Sequence, residues 1–541
     1  MNYLLKVVAS IITVSVLIGV GFAHADDEST EKKRLQDVLR SWLPSSPESE
    51  TLEAETEDDI VVGTLTDSLG SLRTSDLLTD IEMKTSLPWR APNYSGQITA
   101  LGWNEKAFLS PAGLAPRVAF WKSIYSKYTS QQGVLHDSAH PQITYGSVDF
   151  QKIPGYETMS PRQKYRAREA LIDGVRSSAA ERLLRLHAIQ SPIGLTGEDL
   201  RIWNAFSSVN EPEKFKKAAA KGRVRFQLGQ KDKFLLGIYF SGRYLRKMEK
   251  IFREEGLPIE LTRLPFVESS FNVNARSKVG ASGIWQFMPR TGKAYMRVAK
   301  DVDERNDPLI ATRASARVFK QNYMMLESWP LAVTGYNHGA FGVKNIVRKL
   351  GTSDLTEIVE KYSSSSFGFA SENFYACFLA ALEVEASAKL HFEEPRWSGE
   401  IEHGELKLTR SMTWKTLLDF YDGDSALAML MNPHFSQAVR KARMQIPRGA
   451  LVRVPQGRET VAKEFDSGRL PASKLGAKLK ENPVSTDIYS DAAVLDASQA
   501  GVRAGIDEPS EAATQIIPAL LPIAPSGAAP GNQSTSGADK P

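Results

Sequence analysis

The chain has 541 residues, 42% of them hydrophobic, and its formal net charge at pH 7 is +4. This length exceeds one ordinary domain and predicts about two to four folded units with sizeable cores. The small net charge does not indicate a nucleic-acid-binding protein. The single cysteine, Cys377, excludes an intrachain disulfide and lies in the apolar run NFYACFLAALEV, where it is predicted to be a core residue.

Residues 1–25 are predicted to be a secretory signal peptide. Lys6 supplies a basic start, and residues 7–22 form an apolar stretch that is too short to span a membrane comfortably. The sequence AHA at 23–25 then fits the small-x-small cleavage rule, so we expect an exported chain that begins at Asp26. Retention as an uncleaved anchor is the alternative. No cysteine follows the apolar stretch, so no lipid anchor is expected.

The ranges 26–80 and 81–234 are predicted to differ in order. The first is acidic and rich in Ser and Thr with little periodicity, and we interpret it as a flexible leader. The second is predicted to be a mostly helical N-terminal region that contains one strand-like alternation, QITYGSVDF at 142–150. Basic residues crowd the stretch 162–250, where solvated helix faces are favoured over a surface for an anionic polymer.

One pair of histidines has a spacing that metal sites use. His136 and His140 are four residues apart with Asp137 between them, so a helix would place both rings on one face. Gly133 and Pro141 favour a loop instead. We therefore predict no metal site, and nothing in the sequence calls for a cofactor.

Helical patterns resume, and residues 235–390 are predicted to form one domain. Leu257, Leu261 and Leu264 recur at helical spacing, and Glu268 falls four residues later on the same face. A carboxyl group there is partly withdrawn from water, which raises its pKa and suits it to act as a general acid. A helix-terminal Glu bonded to backbone or to a basic side chain explains the same spacing equally well.

A small α+β unit is predicted at 391–456, followed by a low-complexity tail at 457–541 that is rich in Ala, Ser, Pro and Gly. In the unit, a helix-forming run leads to Asn432 and Pro433, and a Pro- and Gly-containing turn then leads into the short alternating stretch 451–454. The pattern weakly resembles a LysM-type glycan-binding module. A structural cap explains it equally well.

Three blocks in the expected order carry a resemblance to a known family. They are Glu268-Ser269, then Ser277 with GASGIWQFMP at 280–289, and TGYNHGAFGV at 334–343. From Leu257 to about Glu385 the chain resembles the soluble lytic transglycosylase (SLT) family, and most of all its membrane-bound lytic murein transglycosylase D branch. The resemblance implies a mainly α-helical protein. It would have a lysozyme-like catalytic domain, an additional N-terminal region and the small LysM-like unit.

The family cleaves the β-1,4 bond between N-acetylmuramic acid and N-acetylglucosamine in peptidoglycan, using one carboxylic acid where most glycosidases use two. The resemblance implies that Glu268 protonates the glycosidic oxygen and then takes a proton from the 6-hydroxyl as a 1,6-anhydro ring closes. It also implies a periplasmic protein associated with the cell wall. Its partners would be peptidoglycan strands, with other cell-wall enzymes or envelope proteins as further candidates, and not nucleic acid. A hydrolytic muramidase and an inactive peptidoglycan-binding scaffold are the alternatives.

The same resemblance implies five substrate-binding residues, namely Ser277, Gln286, Met288, Tyr336 and Asn337. A turn-forming role for Ser277, a core position for Met288 and a hydroxyl of Tyr336 satisfied inside the core are the alternatives. The acids at 301–307 are expected to be loop or helix-capping residues.

The glycines and the tryptophan of the second block have separate predicted roles. Gly280 and Gly283 are expected to let the backbone approach a sugar closely. Trp285, beside Ile284 in an apolar block, is expected to lie in the core.

Two positions depart from the family pattern. Gly335 stands where members usually have Ala, which removes no functional group. Ser371 stands where many relatives have a Glu four residues before a Tyr, here Tyr375. Glu372 lies one place away, and the sequence leaves open whether it replaces the missing contact.

Overall fold

The computed structural model describes residues 108–481 and residue 483. The predicted signal peptide, the acidic leader and the tail beyond residue 483 lie outside the described residues. Between residues 108 and 481 no helix is both long and apolar enough to cross a membrane. The buried hydrophobic side chains of this range form three clusters, which we call the large core, the sheet core and the C-terminal core.

The chain enters with helix α1 (Ala115–Ser126), whose buried residues belong to the large core, and then builds a separate small sheet. Strand β1 (Gln132–Asp137) is its centre and pairs antiparallel with β2 (Thr144–Asp149) and β3 (Val224–Leu228). The strand predicted at 142–150 is therefore confirmed. Three helices cover this sheet core, namely α2 (Pro161–His187), α3 (Gly197–Ala205) and α4 (Lys214–Ala218).

The expectation of a loop at the histidine pair is wrong for its first half, because His136 and Asp137 end strand β1. Both side chains are fully buried, and burial lowers the pKa of His136 to about 4. Asp137 accepts hydrogen bonds from the Tyr145 hydroxyl at 3.0 Å and from Arg223 at 3.0 Å. Hydrogen-bonding partners inside the sheet core thus occupy the carboxylate.

The large core is helical and extends on both sides of the range predicted for the catalytic domain. Helix α1 packs along a helix far downstream, Phe369–Ala386, and Trp121 donates to Asn373 on that helix at 3.3 Å. The other helices of the large core follow in chain order. They are α5 (Lys231–Ser241), α6 (Leu245–Glu254), α7 (Leu264–Glu268), α8 (Pro289–Tyr295), α9 (Pro308–Leu326), α10 (Trp329–His338), α11 (Ala340–Leu350), α12 (Leu355–Lys361), α13 (Phe369–Ala386) and α14 (Ala388–His391).

The C-terminal core belongs to a small α+β unit. Strands β4 (His403–Lys407) and β5 (Leu451–Pro455) form an antiparallel pair. Between them lie α15 (Trp414–Asp419), α16 (Ser425–Met431) and α17 (Gln437–Arg440).

The unit extends past residue 456, where the sequence predicts a low-complexity tail. Helices α18 (Glu459–Asp466) and α19 (Ala472–Lys480) follow β5, and their apolar side chains are buried in the C-terminal core. Val461, Phe465, Leu475 and Leu479 supply that burial at helical spacing. The Ala- and Lys-rich composition of this stretch conceals its amphipathic pattern.

Candidate active site

Helix α7 ends at Glu268 because the following backbone cannot continue it. Pro265 lies in the first turn of this five-residue helix, and Ser270 and Phe271 have positive φ values of 50° and 58°. Such values are uncommon for residues other than glycine and mark local strain. The Phe271 ring is fully buried against Phe266, with ring centroids 4.8 Å apart, which helps to hold the turn. The acid is thus presented at the end of a buried helix.

Among residues 108–481 no cation forms an ion pair with the carboxyl group of Glu268. No described residue donates a hydrogen bond to it or forms an ion pair with it, so the alternative of a helix-terminal Glu bonded to backbone or to a basic side chain is wrong. Burial raises the pKa of Glu268 to about 8. The hydroxyl of Tyr336 lies close enough that burial and then the charge of Glu268 raise its pKa. At neutral pH Glu268 therefore carries a proton in a largely neutral setting.

We call residues 275–287 the substrate loop, since it contains Ser277 and Gln286. The Ser277 amide donates to the Ala281 carbonyl, and the Ala281 amide donates to the Ser277 hydroxyl, both at 2.9 Å. Gln286 has a φ of 48°, and its side-chain nitrogen donates to the carbonyls of Ala275 at 3.2 Å and Gly283 at 2.7 Å. Ser277 thus closes a turn, and Gln286 supports the loop while its Oε1 remains as an acceptor.

Arg305 holds the substrate loop through its guanidinium group, a role that no sequence pattern predicts. Its Nη1 donates to the carbonyls of Gly280 at 2.7 Å and Phe287 at 2.9 Å, and Asp303 pairs with its other nitrogen at 2.7 Å. Gly283 has a φ of 78°, and a Cβ there would lie 1.9 Å from the Arg305 carbonyl oxygen. The close approach that requires Gly283 is therefore to the Arg305 backbone rather than to a sugar.

Two contacts fasten the same loop to the helices that carry the acid and the Tyr-Asn pair. The Tyr336 hydroxyl donates to the Trp285 carbonyl at 2.9 Å, and its ring stacks on Phe319 at 4.9 Å. The Ser269 hydroxyl donates to the Ile284 carbonyl at 2.9 Å. Trp285 itself is fully buried, as the sequence predicts.

Ser371, which stands where many relatives have Glu, makes a contact of its own in the structure. The Ser371 hydroxyl donates to Asn337 Oδ1 at 2.9 Å, so the serine contacts the predicted substrate residue. Glu372 lies within electrostatic reach of Arg117 and Arg225, which oppose the rise in its pKa that burial causes. The buried hydroxyl of Tyr375, one turn after Ser371, has no partner in the described part of the chain.

The remaining predicted residues fall at element boundaries. Met288 is half-buried and precedes α8, and its carbonyl accepts from Gly292 at 2.7 Å. Asp303 and Asp307 cap the helical turns that follow them, Asp307 through the amides of Leu309 and Ile310 at 3.0 Å each. The capping role expected for these two acids is confirmed.

Comparison with known proteins places a family within this region. Residues 248–359 match the family model described as "Transglycosylase SLT domain", a range that contains Glu268, the substrate loop, Tyr336 and Asn337. This confirms the family resemblance and the lysozyme-like fold class for the region.

Relatives match over a short part of the chain. Membrane-bound lytic murein transglycosylase D of Escherichia coli K12 is 35% identical over 98 residues, which is 18% of this chain and 22% of the relative. A protein of Alteromonas sp. M-1 named for tributyltin chloride resistance is 32% identical over 98 residues, 18% of this chain and 47% of that protein. The chain therefore spans less than half the length of each of these relatives.

Proposed function

We propose that the SLT domain at residues 248–359 makes this protein a peptidoglycan lytic transglycosylase with Glu268 as its single general acid and base. The raised pKa of Glu268, about 8, carries this proposal, because a general acid must hold its proton at the working pH. The 35% identity to a lytic murein transglycosylase over 98 residues supports the choice of substrate.

In the proposed reaction Glu268 gives its proton to the glycosidic oxygen between N-acetylmuramic acid and N-acetylglucosamine. The bond from that oxygen to the anomeric carbon breaks with help from the 2-acetamido carbonyl of the muramyl sugar. The 6-hydroxyl of the same sugar then bonds to the anomeric carbon and returns a proton to Glu268. The products have the same total mass as the substrate, and no second carboxylate is required.

The substrate contacts are part of the same proposal. Gln286 Oε1 and the Ser277 hydroxyl would accept hydrogen bonds from sugar groups at the substrate loop, with Met288 beside them. Asn337, oriented by Ser371, would bind the acetamido group and hold its carbonyl in line with the anomeric carbon. A hydrolytic mechanism would need a second carboxylate, for which the acids of the segment 301–307 are candidates. Asp303 and Asp307 are engaged in helix caps and ion pairs, which supports the mechanism with a single acid.

The site of action follows from the substrate and from the predicted signal peptide, which lies outside the described residues. We place the protein in the periplasm, at the cell wall. The antiparallel strand pair with its three intervening helices supports a LysM-like glycan-binding role for the C-terminal unit.

Mass spectrometry of products from purified peptidoglycan tests the function, with the full chain compared to its Glu268→Gln variant. We expect disaccharide products lighter than hydrolysis products by one water with the unmutated protein and none with the variant. Reducing N-acetylmuramic acid ends would establish a muramidase instead. Retained binding to peptidoglycan with no cleavage by either protein would establish a scaffold.

A further inference from the structure

The stretch that follows Glu268 is charged with one sign only. From Ser269 to Lys300 the chain has no Asp or Glu, and it has six basic residues, all exposed. They are Arg276, Lys278, Arg290, Lys293, Arg297 and Lys300. Arg297 pairs with Asp301 at 2.6 Å. The other five have no acidic partner within residues 108–481.

Some surface cations elsewhere in the structure are paired with acids, whereas the stretch 269–300 has no acid of its own. Lys247 pairs with Glu400 at 3.2 Å, and Arg182 with Asp199 at 2.9 Å. Unpaired cations that face water attract anions and repel one another, so their field acts on any charged ligand that approaches.

Two of the unpaired cations stand beside the proposed sugar-binding residue. Arg276 and Lys278 flank Ser277 in the turn that Ser277 closes, and Arg276 forms a β-bridge with Ser282. Arg305 anchors the same turn through the Gly280 carbonyl. Backbone hydrogen bonds therefore hold the turn, and both basic residues lie directly beside Ser277 in the chain.

We propose that Arg276 and Lys278 bind carboxylates of the peptide stems on peptidoglycan, so that the site prefers strands whose stems are anionic. The inference rests on the proposed function. A glycan strand is itself uncharged where its lactyl groups are amide-linked to stems, so the stem carboxylates are the complementary charge that this substrate offers. Charge pairs at an exposed rim act over about 8 Å at physiological salt and mainly favour association.

The test uses soluble peptidoglycan strands with free stem carboxylates and the same strands with those carboxylates amidated. At low salt we expect the full-length protein to have a kcat/KM about three- to tenfold higher on the free-carboxylate strands, as for two exposed ion pairs. In the double variant Arg276→Gln/Lys278→Gln this ratio should fall toward one. The matched control, Lys152→Gln/Lys389→Gln, removes two exposed cations outside the loop and should keep the ratio of the unmutated protein.

Three outcomes would overturn the inference. They are equal kcat/KM on the two substrates, an undiminished ratio in the double variant, or loss of the ratio in the control as well. Binding of both strand types, measured by fluorescence anisotropy with Glu268→Gln, tests the preference even if no protein cleaves. Failure of the proposed function and failure of this inference are thereby distinguishable. Binding to anionic lipid vesicles that the double variant loses, without any strand preference, would assign the cations to a membrane surface instead.

Discussion

A proton stays on Glu268 because its surroundings offer it no compensation for a charge. The hydroxyl of Tyr336 is near, yet its proton is committed to the Trp285 carbonyl, so it does not stabilise the carboxylate. Cys377 and Tyr125 also lie within electrostatic reach, and the charge of Glu268 would raise the pKa of both beyond the rise that burial causes. Three neutral groups around one acid make a site in which the protonated form is the stable one.

Activity and stability should both depend on the titration of Glu268. The cleavage rate should fall as pH rises through about 8, where the acid loses its proton. Unfolded Glu titrates near 4.5, so between about pH 4.5 and about pH 8 the unfolded chain releases a proton that the folded chain retains. Stability therefore falls as pH rises through this window. Since Gln does not titrate, the Tm of Glu268→Gln should rise relative to that of the unmutated protein across the window.

Thermal melts of both proteins at several pH values measure this difference. Glu198→Gln is the matched control, because a hydrogen bond from Arg201 lowers the pKa of Glu198. The stability that Glu198 contributes is fully present above the pKa of an unfolded Glu. The difference in Tm between Glu198→Gln and the unmutated protein should therefore stay constant between about pH 4.5 and about pH 8. A constant difference for Glu268→Gln as well would contradict the raised pKa.

At this scale the sequence predicted the raised pKa of Glu268 and left its role as the acid a prediction. It could not predict that no partner reaches the carboxylate, because that depends on residues far along the chain. Tyr125 lies 143 positions upstream, in a helix outside the range predicted for the catalytic domain.

The substrate loop shows how an irregular element can be rigid. Its carbonyls accept from Arg305, Tyr336 and Ser269, and Gln286 closes it from within. Each bond satisfies a backbone group that would otherwise be buried without a partner. The sequence offered a turn at Ser277 as the alternative to a substrate contact, because glycines and a serine mark turns, whereas the contact from Arg305 spans 25 residues and has no local pattern.

Two glycines in this loop make a matched pair for testing that packing. Both have positive φ, 91° at Gly280 and 78° at Gly283, so an alanine is strained at either. Only at Gly283 would the new Cβ meet backbone, 1.9 Å from the Arg305 oxygen; at Gly280 its nearest neighbour is a Pro289 side-chain atom at 3.6 Å. We expect Gly283→Ala to lower the free energy of unfolding by about 1–3 kcal/mol more than Gly280→Ala. Urea denaturation of both variants measures the two losses in the free energy of unfolding. Equal losses would show that the substrate loop shifts at Arg305 to accommodate the new Cβ.

The SLT domain and the C-terminal unit meet at buried charges. Asp307, which caps α9, accepts from Arg453 of strand β5 at 3.0 Å and through a second, shorter bond, and His434 lies 3.1 Å away. Burial would raise the pKa of Asp307, but the attraction of Arg453 and the bonds from His434 and Arg453 exceed it, and the pKa lies well below its usual value. A backbone hydrogen bond also connects the two parts, because the Asp303 amide donates to the His434 carbonyl at 2.8 Å.

The contact between Asp307 and Arg453 also bears on the substrate loop, which the sequence could not reveal. Asp303 and Asp307 bracket Arg305, which holds the substrate loop, so the C-terminal unit steadies the segment on which that loop rests. The sequence predicted the small α+β unit and the capping acids separately. Their union depends on Asp307 and Arg453, 146 residues apart, and neither position carries a local signal for the other.

Removing Arg453 should therefore cost far more than removing a surface cation. Arg453→Met leaves the Asp307 carboxylate buried without its main partner, and such a loss costs about 3–5 kcal/mol. Asp307→Asn/Arg453→Met should cost less than the sum of the single variants, because Asn keeps the helix cap and leaves no buried charge. Lys361→Met, which breaks an exposed pair with Glu357, should change stability little.

The pH dependence of unfolding separates this ion pair from simple loss of packing. The low pKa of Asp307 contributes stability that is fully present above its unfolded value of 3.8 and is lost as pH falls below about that value. The unmutated protein should therefore lose more stability than Arg453→Met between about pH 6 and about pH 3, as measured by guanidinium denaturation. Parallel losses in the two proteins would mean that Arg453 acts at the joint by its shape and not by its charge.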